Sequence, residues 1–264
     1  QRTNHIYRKM REIVKSGEMG AIKRTSWIIT NWYRPQAYYD SGAWRATWSG
    51  EGGGVLLNQC PHNLDLWQWI CGMPIKVDAK LHYGKWHNIE VEDDVTTYVE
   101  YANGATGTFI TTTADFPGTN RFEITLEKGK LIAEGDKLTT WELDVSEPEF
   151  SKTNTIPFGT PKVTETVVET DGQNPQHVGV LNAFAGAILR GEPLVASGTE
   201  GINGLTLSNA MHLSSWLGRP VEIPFDADLY YEELMKRVAT SKRRTEVRAV
   251  VVDDMGSTYN SGKK

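Results

Sequence analysis

Residues 4–16 place Ile6, Met10, Ile13 and Val14 at helical spacing, with Gly17 and Gly20 after them, so the chain is expected to open with an amphipathic helix. Residues 22–34 alternate and are rich in β-branched and aromatic side chains, which predicts a strand. A long loop over 35–54 leads to a second helix over 58–71. Asn58 and Pro61 mark its start, and Gly72 and Pro74 its end. On a 3.6-residue period Asn58, His62, Asp65 and Trp69 share one stripe, away from Leu57, Leu64 and Cys71. A polar stripe centred on a histidine and fed by Gly52, Gly53 and Gly54 suits the wall of a small-molecule site. It is equally read as a cap, a backbone partner and a tight turn.

A strand is expected over 77–86, and residues 93–143 read as an antiparallel meander. Asn103-Gly104 supplies one hairpin turn, and Lys128-Gly129 and Gly135-Asp136 supply two more. The polar stretch 145–174 contains ETVVET, which can add an edge strand. Helices return over 177–190 and 199–217, the second opened by a capping box from Ser197 to Glu200. VEIP is a last short strand and 227–238 a last helix. Residues 240–264 read as a loosely held tail after one domain over 1–239. This order gives an α+β fold, an open and mostly antiparallel sheet with helices on one face, and not a doubly wound sheet.

Composition narrows the function. The net charge of −5 argues against nucleic acid as a partner. No window reaches the apolar length of a membrane span, and no signal peptide opens the chain. Cys60 and Cys71 lie three turns apart on the expected helix, too far for a disulfide, which points to a reducing, cytoplasmic setting. The chain starts at Gln1 and not at methionine, so a preceding segment is expected.

The chemistry-bearing motifs reduce to a few. Gly50-Glu-Gly52-Gly-Gly54 fails as a dinucleotide fingerprint, because position 55 is valine and the segment before it is a loop. His82 and His87, with the acids from Glu90 to Asp94, have a spacing that suits neither a helix face nor a strand. The acids read as a solvated turn, and no metal is expected. Six of the nine tryptophans fall in the first 70 residues, mixed with Tyr33, Tyr38, Tyr39, Arg34 and Arg45. Rings and guanidinium forks suit a polyhydroxylated ligand; the same rings suit a core. Trp44 and Arg45, within the loop, are the candidates for ligand contact. His62 is the first candidate for proton chemistry and His177 the second, and each is also compatible with a satisfied polar residue.

The run GGGVLLNQCPHNLDLWQWICGMP over 52–74 resembles the central signature of the glucose–fructose oxidoreductase, inositol dehydrogenase and MocA (Gfo/Idh/MocA) family: a glycine pair, D-x-x-x-H or similar, H-x-x-D and a closing G-x-P. SGEMGAIKR, the WR at 44–45, EDDVTTYVEYANGATG and LNAFAGAILRGEPLVASGTEGINGLTLSNAMHLSS agree in order, so the resemblance covers about residues 1–225. It implies the substrate domain of an NAD- or NADP-dependent oxidoreductase acting on a sugar, inositol or related polyol. The family's N-terminal Rossmann domain, with its G-x-G-x-x-G and E-K-P elements, does not occur in this sequence, so the chain alone is expected to be inactive. The resemblance also implies a homodimer or homotetramer through the sheet face. His62 matches the histidine that takes the hydroxyl proton. Asn58 stands where many members have aspartate, and as an amide it can only orient substrate. Trp44 and Arg45 match the substrate loop, and His177 a substrate-facing position. The competing reading is a non-catalytic sugar-binding or assembly protein of the same fold.

Overall fold

The computed structural model describes residues 1–242. In chain order it contains α1 (His5–Ser16), β1 (Ile22–Ile29), α2 (Gln36–Asp40), α3 (Val55–Asn58), α4 (Pro61–Cys71) and β2 (Lys76–Tyr83). Then come β3 (Glu92–Glu100), β4 (Thr106–Thr112), β5 (Asn120–Leu126), β6 (Gly129–Glu134), β7 (Lys137–Leu143), α5 (Glu147–Thr153) and β8 (Val163–Val167). The described chain ends with α6 (Gln176–Arg190), α7 (Gly201–Leu217), β9 (Val221–Glu222) and α8 (Ala227–Thr240). The strands form one open sheet in the order β8-β7-β6-β5-β1-β4-β3-β2-β9. This is the expected α+β fold.

One strand departs from the expected meander. β1 lies between β5 and β4 and runs parallel to β4, with Trp27 opposite Phe109. Parallel neighbours need a long crossover, which here is the whole passage through α2–α4, β2 and β3. Its side chains explain the central place: Thr25, Trp27 and Ile29 are buried on one face. β1 also ends at Ile29, short of the expected residue 34. The extension stays tied to the sheet by Thr30 N–H to the Thr119 carbonyl (2.7 Å) and Arg34 N–H to the Thr113 carbonyl (2.9 Å).

The core lies between the sheet and its helices. Trp27 stacks on Phe122 at 4.3 Å and meets Phe109 edge-on at 6.1 Å, and Trp67 of α4 stacks on Phe109 at 5.4 Å. All four rings are buried, and each contributes about 1.5–3 kcal/mol by leaving water. Trp67 donates its indole N–H to Thr25 Oγ1 at 3.1 Å, so no polar atom of the ring is left unpaired. Most of the tryptophan-rich first third is therefore core.

The helix expected over 58–71 is broken. Pro61 disfavours the helical region for Cys60, which sits at φ −102° and ψ 9°, and α4 restarts at the proline. Asn58 ends α3 and no longer shares a face with His62. Asp65, on the expected polar stripe, serves structure: Arg2 grips it with Nε and Nη2, both at 2.7 Å, and reaches Glu200 with Nη1 at 2.6 Å. This ties the segment before α1 to α4 and to the capping box of Ser197 and Glu200. At the other end, Ser241 Oγ donates to Glu90 Oε2 at 2.5 Å and Lys242 N–H to Glu90 Oε1 at 2.6 Å. The rest of the expected tail, 243–264, lies outside the described residues.

Candidate active site

A cleft of about 540 Å³ opens where α1, the segment after β1, the start of α4 and the β6–β7 turn converge. His62, Asn63, Trp32, Asn4, Asn120 and Gln176 are among its lining residues. Amide groups therefore dominate the polar wall, donors and acceptors that suit hydroxyl groups. Trp32 is fixed by donating its indole N–H to Asn63 Oδ1 at 3.2 Å.

His62 is the second residue of α4 and is exposed to the cleft. The protein packed around it lowers its pKa from the ordinary 6.5 by desolvation; the amino group of Gln1 acts in the same direction, Asp65 opposes, and His177 adds a further lowering. The neutral, proton-accepting ring is thus the favoured form. His177, near the start of α6, comes close enough to His62 to act on its charge. Of the two sequence candidates for proton chemistry, His62 lines the cleft and His177 is not among the lining residues.

Asn58, Arg45 and Trp44 form a second group, centred on Tyr38. Tyr38 Oη receives a hydrogen bond from Arg45 Nη1 at 2.8 Å and donates to Asn58 Oδ1 at 3.0 Å. The Asn58 amide donates to Glu51, and Gln59 Nε2 donates to Asn58 Oδ1 at 2.9 Å. Burial raises the pKa of Glu51, against hydrogen bonds from the Ala46 N–H and from Asn58. Arg34 joins the two groups, its guanidinium carbon 5.8 Å from the Trp32 ring and 5.2 Å from the Tyr38 ring. Asn58 is accordingly not an α4 cap but the acceptor at the end of an arginine–tyrosine relay.

What positions this group was missed in the sequence. The acids from Glu92 to Asp94 are not a solvated turn, because Glu92 and Asp93 are fully buried. Asp93 receives the backbone N–H groups of Lys85, Trp86 and His87 at 2.9–3.1 Å, and its Oδ2 lies 3.0 Å from His87 Nδ1. Glu92 receives the N–H groups of Gly54 (2.8 Å) and Leu56 (3.0 Å) and faces His212 Nε2 at 3.0 Å. His212 Nδ1 in turn faces the Ser208 carbonyl at 2.9 Å. Glu92 therefore caps α3 and clamps the glycine turn to α7. Among the described residues no three histidine, cysteine or acidic side chains converge as metal ligands, and no helix is long and apolar enough to cross a membrane. Cys60 and Cys71 are both free, and burial pushes the Cys60 thiol up to about 12.

The same contact explains one glycine. A β-carbon on Gly54 would overlap the Glu92 carbonyl oxygen and press on Val91. Gly54→Ala is expected to cost about 1–3 kcal/mol of stability by overpacking. A urea midpoint unchanged in that variant would show that the turn can yield.

Residues 7–132 match the family model for the GFO/IDH/MocA C-terminal domain. The chain carries a GFO/IDH/MocA C-terminal domain. The solved structures to which this domain is similar agree. The WlbA dehydrogenase from Bordetella pertussis, in complex with NADH and UDP-GlcNAcA, matches with a TM-score of 0.64 and 24% identity over 84% of this chain and 61% of its own. The WlbA dehydrogenase from Chromobacterium violaceum, also in complex with NADH and UDP-GlcNAcA, matches at 0.63 and 26% over 83% and 59%. A levoglucosan dehydrogenase in complex with NADH and levoglucosan matches at 0.61 and 19% over 85% and 67%. The chain thus spans about three fifths of the length of the two WlbA dehydrogenases. A comparison with curated proteins gives no match.

Proposed function

We propose that this GFO/IDH/MocA domain is the substrate-binding half of an NAD- or NADP-dependent oxidoreductase acting on a hydroxyl group of a sugar, inositol or related polyol. The observation that carries the reading is His62, held on an amide-lined cleft with its neutral form favoured by its surroundings. The solved dehydrogenases of this fold that hold NADH with a sugar nucleotide or levoglucosan support it.

The residues present fit the substrate and not the phosphates of a dinucleotide, since among the described residues no glycine-rich turn joins a parallel strand to a helix. Bound to the full-length protein, nicotinamide supplies the hydride acceptor. The chain's own residues do the rest. The cleft amides hold neighbouring hydroxyls and fix the reacting carbon against His62. His62 accepts the hydroxyl proton, so that no alkoxide has to form unaided. Asn58, an amide on the Tyr38 relay, orients substrate and takes no proton. His177, which acts on the charge of His62, is assigned a contact with substrate. The outer face of the sheet, where Tyr98 is 42% exposed, is proposed as the contact between subunits.

The full-length protein, supplied with NAD or NADP and a panel of sugars, inositols and polyols, should reduce nicotinamide with at least one of them. Turnover that His62→Ala leaves unchanged would remove His62 from the mechanism.

A further inference from the structure

α6 is apolar on nearly every side and almost bare. Gly186 is its one buried residue. On a 3.6-residue period Gly179, Ala183, Gly186 and Ala187 fall on a single narrow stripe, and these small residues are the least exposed of the helix. The stripe lets the backbone lie close to the body of the domain: a β-carbon on Gly179 would sit 3.1 Å from Thr3 Cγ2. Away from it, Val178, Leu181, Phe184, Ile188 and Leu189 stand 56–76% exposed. Arg190 is the one Lys, Arg, Asp or Glu of the helix, and it is turned to Glu192 at 2.6 Å. A helix apolar all round belongs inside a structure, and a monomer rarely leaves a contiguous apolar face of this kind in water.

Two features of the surroundings select what covers it. The first residues of the chain are pinned beside the start of α6. Thr3 meets Gly179, the His5 N–H donates to the Gln173 carbonyl at 3.1 Å, and Arg2 is held by Asp65 at 2.7 Å and by Glu200 at 2.6 Å. Polypeptide joined to Gln1 is therefore delivered next to this face at an effective concentration on the order of millimolar. A second copy would have to give up translational and rotational freedom to reach it. In addition, Gln176, the first residue of α6, lines the cleft that holds His62, so a body seated on the helix also borders the cleft. The two WlbA dehydrogenases of this fold extend beyond the matched part by about two fifths of their length.

We propose that the face of α6 bearing Leu181, Phe184 and Ile188 docks on the polypeptide ahead of Gln1 in the full-length protein, the half that holds the dinucleotide. The inference rests on the substrate-domain reading above and adds the surface by which the two halves are fixed across the His62 cleft. The contact is apolar and driven by burial, so it sets the geometry between the halves and takes no part in the proton step.

The test labels single thiols with a maleimide. Leu181→Cys and Ile188→Cys are made both in the 264-residue chain and in the full-length protein, and Phe158→Cys, at a side chain 96% exposed, is the reference. The parent proteins give the background from Cys60 and Cys71. In the 264-residue chain both α6 thiols should react as fast as the reference. In the full-length protein they should react about a hundredfold more slowly, since labelling then waits for the halves to part, while the reference keeps its rate. Equal α6 rates in the two proteins, or a slowing shared by Phe158→Cys, would overturn the inference. So would α6 thiols already slow in the 264-residue chain: a rate that rises on dilution would assign the face to a second copy, and one that does not to another part of the chain itself. Full-length protein that oxidises a polyol yet leaves the α6 thiols as reactive as in the shorter chain would overturn the docking and leave the substrate-domain reading standing. Protection of α6 without hydride transfer from any polyol would do the reverse.

Discussion

His62→Ala in the full-length protein is expected to lower kcat/KM for alcohol oxidation by about 10²–10⁴-fold, the usual worth of a positioned general base. The parent protein should also show an acid limb whose midpoint lies below pH 6.5. Desolvation lowers the pKa of His62 from that value, so the neutral ring persists to more acid pH before it is lost. Above the limb the base is fully available, and below it the ring is already protonated. The variant should lack the limb altogether, because the group that titrates is gone. His62→Gln offers a control: it keeps a polar side chain on the cleft but cannot accept a proton at these pH values. An acid limb that survives either substitution would assign the titration to another group, with His177 the first to examine.

Glu92→Ala is expected to remove about 3–5 kcal/mol of stability, because each buried polar group left without its partner costs about 1–3 kcal/mol. Glu92 and His212 are fully buried. Removal of the carboxylate strands two donors, the N–H groups of Gly54 and Leu56, and takes away the partner of His212 Nε2. Against a domain stability of about 5–15 kcal/mol this is a large fraction. Glu92→Gln keeps one acceptor oxygen and should cost about 1–3 kcal/mol. Urea denaturation of both variants checks the ranking, and a Glu92→Ala loss below about 0.5 kcal/mol, the scatter of ordinary surface changes, would show that the clamp carries no load. Since the clamp fixes the turn that leads into α3, the same variant should weaken binding at the Tyr38 group even where it stays folded.

Local signals carried much of the fold into view. Asn4 caps α1 through a side-chain bond to the Ile6 N–H, Ser197 and Glu200 form the expected capping box, and the edge strand β8, Val163–Val167, overlaps the first half of ETVVET. These features depend on residues a few positions apart, which a sequence displays directly. The misses depend on partners far away. Glu92 and His212 are 120 residues apart, and a string of acids before a strand offers no sign that one of them faces a helix. The parallel pairing of β1 with β4 was hidden for the same reason, because an alternating strand shows its buried face but not its neighbours. The break in the helix was within reach: Pro61 constrains the residue before it, which separates Asn58 from His62.

The site divides in the same way. His62 and His177 were legible as candidates; His62 lines the cleft, and His177 acts on its charge from α6. Trp44, Arg45 and Asn58 were also legible, but not the tyrosine that joins them. Tyr38 stood among the ten aromatic side chains of the first 70 residues, and only the three-dimensional contacts with Arg45 and Asn58 single it out.

The central claim is that the hydroxyl proton goes to His62 while hydride leaves the same carbon of a sugar or polyol. The most direct measurement follows the hydrogen: full-length protein, NAD and NADP in turn, and a panel of sugars and inositols deuterated at carbon, with mass spectrometry of the nicotinamide produced. The account predicts deuterium in the reduced nicotinamide with at least one substrate, and its near-disappearance in His62→Ala. Unlabelled cofactor with every substrate, or label undiminished in His62→Ala, would contradict it.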